Sequence, residues 1–204
     1  MKLLDLFSGA GGAAVGYHRA GFEVTGVDIV HQPRYPFTFI QADALTFPLA
    51  GFDAIHASPP CQGYSRQANC RPGLKDRYPR LIEPVRDRLR ESGLPYVIEN
   101  VEGAPLENPR MLCGWMFGYP VYRHRLFETN FSWEPPFHRE HVTPSSQSGH
   151  WRPGTFISVA GHCAPIALAR DAMDIGWMTR EELCESVPPY FTQNIGGFLR
   201  EAVR

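Results

Sequence analysis

Residues 5–16 read DLFSGAGGAAVG. The apolar KLLDLF that leads into this stretch is β-rich, and GGAAVGYHRAG reads as a helix closed by Gly21. A glycine-rich turn between a strand and a helix brings backbone N–H groups close to a ligand. Gly9, Gly11 and Ala14 satisfy a relaxed dinucleotide fingerprint. Asp28, at the end of the next strand FEVTGVDI, lies 19 residues after Gly9, where an acid holds ribose hydroxyls. NAD(H) and S-adenosylmethionine both fit this pattern, and the loop alone does not separate them. Asp43 in QADAL adds to the second cofactor, since an acid after the third strand can accept a hydrogen bond from the adenine amine. It is equally a turn residue or helix N-cap.

Outward from this stretch, FTFIQAD, FDAIHAS and LPYVIENV are further strands, the last ending at Glu99 and Asn100. RLIEPVRDRLRES puts Leu81, Ile82, Val85 and Leu89 on one helical face, with Pro84 marking a start or a bend. The alternation predicts an α/β fold: a mostly parallel sheet with helices on both faces. From about Leu126 to Gly161 helical periodicity disappears and Pro, Ser, His and aromatic residues take over. A capping box, Thr179 to Glu182, then starts a helix, and a final helix runs from about Gln193 to Val203.

The 204 residues suffice for one compact domain, and 43% hydrophobic with 20% charged residues excludes a disordered chain. No apolar run reaches membrane-spanning length, and MKLLDLFSG turns acidic too early for a secretory leader. The cysteines at 61, 70, 113, 163 and 184 form no CxxC pair, so neither a zinc ribbon nor a disulfide frame is suggested. A reduced, cytoplasmic protein is expected. The net charge of −1 hides a local excess: Arg66 to Arg90 holds eight Lys/Arg against three Asp/Glu. Solvated helix charges account for part of that run; phosphate contacts would account for the rest.

SPPCQGYS, residues 58–65, presents Cys61 on a stiffened backbone after the fourth strand, and Glu99 closes the fifth. Ligands of open α/β sheets collect beyond the carboxyl ends of the strands, so a thiol and a carboxyl would face one crevice with the glycine loop. The other four cysteines read as small buried hydrophobes. A thiolate attacks an electron-poor carbon, and a carboxylic acid can protonate the nitrogen where charge builds. The resulting enamine carbon would take a methyl group from a sulfonium cofactor, which describes methylation of a pyrimidine at ring carbon 5.

DLFSGAGG, SPPCQGYS and IENVEG, in this order and spacing, resemble the DNA (cytosine-5) methyltransferase family. The likeness covers roughly residues 1–125 well and 164–204 loosely. It implies a Rossmann-like S-adenosylmethionine-dependent methyltransferase fold, with Cys61 as nucleophile and Glu99 on the edge of a flipped cytosine. It implies that Phe7, Gly9, Gly11, Gly12, Asp28, Ile29, Asp43, Ala44 and Pro60 hold S-adenosylmethionine. VYRHRLF, residues 121–127, resembles the family's Gln-x-Arg-x-Arg motif with Val121 in place of glutamine. Arg125 then contacts the base and Arg123 supports it. The basic stretch after Cys61 resembles the loop that closes over the flipped base, which makes Gln62, Ser65, Arg66, Arg71, Lys75 and Arg77 candidate contacts to double-stranded DNA. The family's Gly-Asn-Ser near the C-terminus is replaced by FTQNIGGFL, leaving Asn194 as the candidate there.

The expected organisation is a catalytic and cofactor-binding core over 1–125, a target-recognition segment over 126–163 and C-terminal helices over 164–204. A segment of about 40 residues reads few base pairs directly, so a very short or relaxed target is expected. His138, His141 and His150 suggest zinc, but without paired cysteines no metal is expected. A monomer acting on DNA in the cytoplasm, nucleoid-associated in a prokaryotic cell and serving restriction-modification, is one expectation. The same chemistry on RNA or single-stranded nucleic acid, an NAD-linked oxidoreductase and a non-catalytic nucleic-acid-binding module are the alternatives.

Overall fold

A computed structural model describes residues 1–65 and 78–204. Seven strands form one sheet: β1 (Lys2–Leu6), β2 (Glu23–Asp28), β3 (Thr38–Gln41), β4 (Ala54–Ala57), β5 (Tyr96–Asn100), β6 (Arg110–Leu112) and β7 (Arg125–Thr129), in the order β3-β2-β1-β4-β5-β7-β6. The first five in that order are parallel. β7 runs antiparallel to β5, and β6 antiparallel to β7. The helices are α1 (Gly12–Arg19), α2 (Ile82–Ser92), α3 (Ile166–Met173), α4 (Arg180–Glu185) and α5 (Pro189–Ala202).

Both faces of the sheet are covered, which is why β4 and β5 are buried along their whole length. On one face Leu4, Leu6, Ile55 and Ile98 pack with Val85 and Leu89 of α2. On the other, Leu3, Val24, Val97 and Phe127 pack with Tyr17 of α1 and Phe191, Ile195 and Leu199 of α5. α1 and α5 meet without intervening bulk. A Cβ on Gly16 would lie 2.0 Å from Thr192 Oγ1, and one on Gly196 would lie 2.6 Å from the Ala20 Cβ.

Two helix starts are explained by proline. Pro84 is the third residue of α2, inside the first turn, where a missing N–H costs no helical bond. α5 begins at Pro189 rather than near Gln193, because Pro189 takes the first helical position with the φ it prefers. The capping box on α4 is complete: the Thr179 side chain accepts from the Glu182 N–H, and Glu182 accepts from the Thr179 N–H.

The antiparallel β6–β7 edge follows no alternating strand–helix pattern. A buried ion pair holds it: the Arg86 guanidinium of α2 donates from Nε and Nη2 to the two Glu128 oxygens of β7, each at 2.7 Å. Residues 130–163 contain only isolated bridges, Ser145–Phe156 and Gln147–His150. Their end is anchored, since Ile157 and Val159 pack with Val121 and with Ala169, Met173 and Leu183 of α3 and α4. Among the described residues no helix is long and apolar enough to cross a membrane.

Candidate active site

The parallel register sets the site. Leu6 is paired with Val27 and with Ala57, and Ala57 with Ile98. The residues that follow these positions, namely the glycine loop, Asp28, the Ser58–Cys61 turn and Glu99, therefore emerge along one edge of the sheet.

The glycine loop is tightly cradled. Phe7 (φ 58°), Gly9 (φ 49°) and Gly11 (φ 85°) are all left-handed. The Gly9 N–H donates to Asp28 Oδ2 at 3.0 Å, while the Val30 N–H donates to Asp28 Oδ1 at 2.9 Å. Asp28 thus pins the loop, and each oxygen retains a lone pair for a hydroxyl. A Cβ on Gly12 would lie 2.0 Å from Ser186 Oγ and 2.3 Å from the Val187 carbonyl. The Trp177 indole N–H donates to the Ala10 carbonyl at 2.9 Å. A Cβ on Gly9, by contrast, would point into open space. Beside it Ile29 is 68% exposed, an apolar platform at the end of β2. An open cradle, a pinned acid and an uncovered apolar side chain fit the loop, ribose and adenine of S-adenosylmethionine. Asp43 Oδ1 accepts the Leu45 N–H at 2.9 Å, so the turn role is realised there. Ala44 beside it is buried.

Along α5, Thr192 lies against Gly16 and Gly196 against Ala20, and Asn194, on the turn between them, has its Oδ1 buried with no hydrogen-bond partner among the described residues. Ser186, Val187 and Trp177 close the loop from the C-terminal side. None of the three was among the candidate site residues, and small residues facing Gly12 and Gly16 are the signal for that packing.

Cys61 is held by more than prolines. The Ser58 N–H donates to the Leu6 carbonyl at 3.1 Å, and the Asn100 side-chain amide donates to the Pro59 carbonyl at 2.8 Å. The Tyr64 and Ser65 N–H groups both donate to the Cys61 carbonyl at 3.0 Å. Cys61 and Pro60 remain half-buried. Behind them runs a buried polar chain. Tyr17 Oη lies 3.0 Å from His56 Nδ1, His56 Nε2 lies 2.8 Å from Ser58 Oγ, and the Ser58 hydroxyl bonds the Glu99 carboxyl. Full burial lowers the His56 pKa to about 3, so its ring is neutral. A Tyr17 hydroxyl donating to Nδ1 leaves Nε2–H to donate to Ser58, whose proton then faces Glu99. Asn100, His56 and Ser58 were missed from sequence, although Asn100 stands next to Glu99 in IENVEG and Ser58 opens SPPCQGYS.

Glu99 is buried, and Arg125 Nε lies 2.9 Å from its Oε1. Burial raises the Glu99 pKa; Arg125, Ser58 and Arg123 pull it back only in part. Burial likewise raises the Cys61 pKa, the Glu99 charge adds to that, and Arg125 and Arg123 oppose it. These four side chains share one electrostatic environment. Arg123 has a different duty from Arg125. It is left-handed (φ 32°), and its guanidinium donates to the carbonyls of Val159, Cys184 and Ser186. Burial, then the neighbouring Arg125, lowers its pKa to about 9.

Gln62 follows Cys61 with its Oε1 buried and unpartnered among the described residues. Arg66, Arg71, Lys75 and Arg77 lie outside the described residues. His138 and His141 converge with Cys113 and His124, whereas His150 is not in that group.

Residues 1–112 match the family model described as C-5 cytosine-specific DNA methylase. The Type II methyltransferase M.FnuDI of Fusobacterium nucleatum is 31% identical over 120 residues, covering 50% of this chain and 33% of that one. The Type II methyltransferase M.AquIA of a Picosynechococcus strain is 34% identical over 125 residues, covering 50% and 49%. The chain thus spans between a third and a half of the length of these relatives. The Entamoeba histolytica methyltransferase EhMeth superposes with a TM-score of 0.62 at 13% identity, covering 100% of this chain and 99% of that one, which is a likeness of fold.

Proposed function

Because the chain belongs to the C-5 cytosine-specific DNA methylase family, we propose that it methylates ring carbon 5 of cytosine in duplex DNA through a covalent Cys61 adduct. The observation that carries this is the convergence of Cys61, Glu99 and Arg125 at the strand ends beside the open Gly9 cradle. Bound S-adenosylmethionine supplies an electrophilic methyl group on a sulfonium. Phe7 to Gly12, Asp28 and Ile29 would hold it.

Within a duplex, stacking shields ring carbon 6 from out-of-plane attack, so the target base must leave the stack, at a cost of a few kcal/mol, roughly. Arg125 and Glu99 recover part of that cost by binding the base edge. Burial keeps Glu99 protonated further toward neutrality than an ordinary carboxyl, which suits it to donate to ring nitrogen 3. A neutral Glu99 also removes one of the charges that holds the Cys61 thiol protonated. Cys61 then loses its proton to solvent and its sulfur bonds ring carbon 6. The displaced electron pair makes carbon 5 nucleophilic as nitrogen 3 takes the Glu99 proton. After methylation, loss of the carbon 5 proton to solvent and expulsion of the sulfur restore the carbon 5–carbon 6 double bond, and nitrogen 3 returns its proton to Glu99.

The test is trapping with S-adenosylmethionine and duplex DNA carrying 5-fluorocytosine, where fluorine blocks that final elimination. A denaturation-resistant adduct that disappears in Cys61→Ser is expected. No adduct on DNA from a chain that binds S-adenosylmethionine would refute the duplex-DNA assignment, and an adduct on RNA alone would move the substrate.

A further inference from the structure

Away from the catalytic crevice, four metal-ligand side chains point at one spot. Cys113 follows β6, His124 precedes β7, and His138 and His141 belong to the irregular segment. One ligand atom from each lies within 4.8 Å of all the others. Cys113 Sγ is 3.4 Å from His141 Nε2, and His124 Nε2 is 3.4 Å from the same nitrogen. A tetrahedral zinc with ordinary bond lengths separates two imidazole nitrogens by about 3.3 Å and a sulfur from a nitrogen by about 3.6 Å. Those contacts are already at metal-site spacing.

Protons alone do not satisfy the cluster. His138 Nε2 is buried with no hydrogen-bond partner among the described residues. Two of the other donor atoms crowd a single nitrogen, which offers one lone pair or one N–H. The outer contacts are those of ligands in place. Glu102 Oε1 lies 3.4 Å from His124 Nδ1, leaving Nε2 to face the cluster, and Tyr122 stacks on the His141 ring at 3.6 Å. Backbone N–H groups of Trp115 and Met116 point at the Cys113 sulfur.

We infer that Cys113, His124, His138 and His141 form a structural zinc site that fastens the irregular segment to the arginine loop. One thiolate and three imidazoles suit zinc, and four protein ligands leave no open position for catalysis. Absence of paired cysteines hid the site in the sequence, because its ligands come from three separate stretches.

The test is the zinc content of the full chain, purified with zinc present and dialysed against metal-free buffer, together with the absorption of the cobalt(II)-substituted protein. One equivalent per chain and a thiolate-to-cobalt band are expected. Both should be lost in His138→Ala, while His150→Ala should keep them; Cys113→Ser should lose the thiolate band. His138→Ala decides the matter if Cys113→Ser does not fold. A folded chain that retains no zinc, or zinc that persists undiminished in His138→Ala, would overturn the inference.

Discussion

His56→Gln tests the buried chain behind Glu99. His56 is fully buried between Tyr17 and Ser58, and its strand partner across β1 is Asp5. Its folded pKa of about 3 stands against an unfolded 6.5. Between those values the unfolded chain binds a proton that the folded chain does not, so stability falls as pH drops from 6.5 toward 3. At about 1.4 kcal/mol per unit, the whole window is worth about 5 kcal/mol, and the fall from about pH 7 to about pH 4.5 costs about 2.5 kcal/mol. Asp5 and Glu99, whose pKa values are raised by burial, push the other way: they disfavour the folded state as pH rises above their unfolded values. Those contributions are common to both proteins and cancel. Urea denaturation of wild type and His56→Gln at the two pH values should therefore show a pH-dependent loss smaller by about 2.5 kcal/mol in the variant. Parallel losses, within about 1 kcal/mol, would mean that His56 is charged in the folded protein and that the proposed direction of donation to Ser58 is wrong.

Gly9→Ala places a methyl in the open cradle. Its left-handed φ should cost about 1–2 kcal/mol of stability, while calorimetry should show S-adenosylmethionine affinity falling by more than about tenfold, or 1.4 kcal/mol. Unchanged affinity would place the cofactor elsewhere. Asn100→Ala frees the Pro59 carbonyl and should slow adduct formation on fluorinated DNA while leaving cofactor affinity intact. An unchanged rate would mean that the prolines alone hold Cys61. Glu128→Ala strands the buried Arg86 guanidinium and should lower unfolding free energy by about 3–5 kcal/mol. A loss below about 1 kcal/mol would show that water reaches the pair.

What the sequence made legible is what acts locally. The turn at Gly9 to Gly12, the capping box at Thr179 and the strand ends at Asp28 and Glu99 depend on residues within a few positions of one another. The parallel half of the sheet followed from them. β6 and β7 were not legible, because their pairing runs antiparallel and their anchor, Arg86 to Glu128, spans 42 residues. The closing of the glycine loop by Ser186 and Val187 was hidden for the same reason, since they stand near the opposite end of the chain from Gly12.

The stretch from Tyr122 to Arg125 joins these parts. Tyr122 stacks on His141, Arg123 holds the Val159 carbonyl and the end of α4, His124 faces the four-ligand cluster, and Arg125 meets Glu99. Three successive residues are thus committed to the irregular segment or the C-terminal helices before the fourth reaches Glu99. A residue that only contacted the base would need none of those anchors. The strained φ of Arg123 points the same way, since a backbone held in a sparsely populated region must be over-determined by its surroundings. Displacing the irregular segment would therefore move Arg125 relative to Glu99. Under the proposed function, seating that segment on DNA and aligning Arg125 with Glu99 would be a single mechanical event.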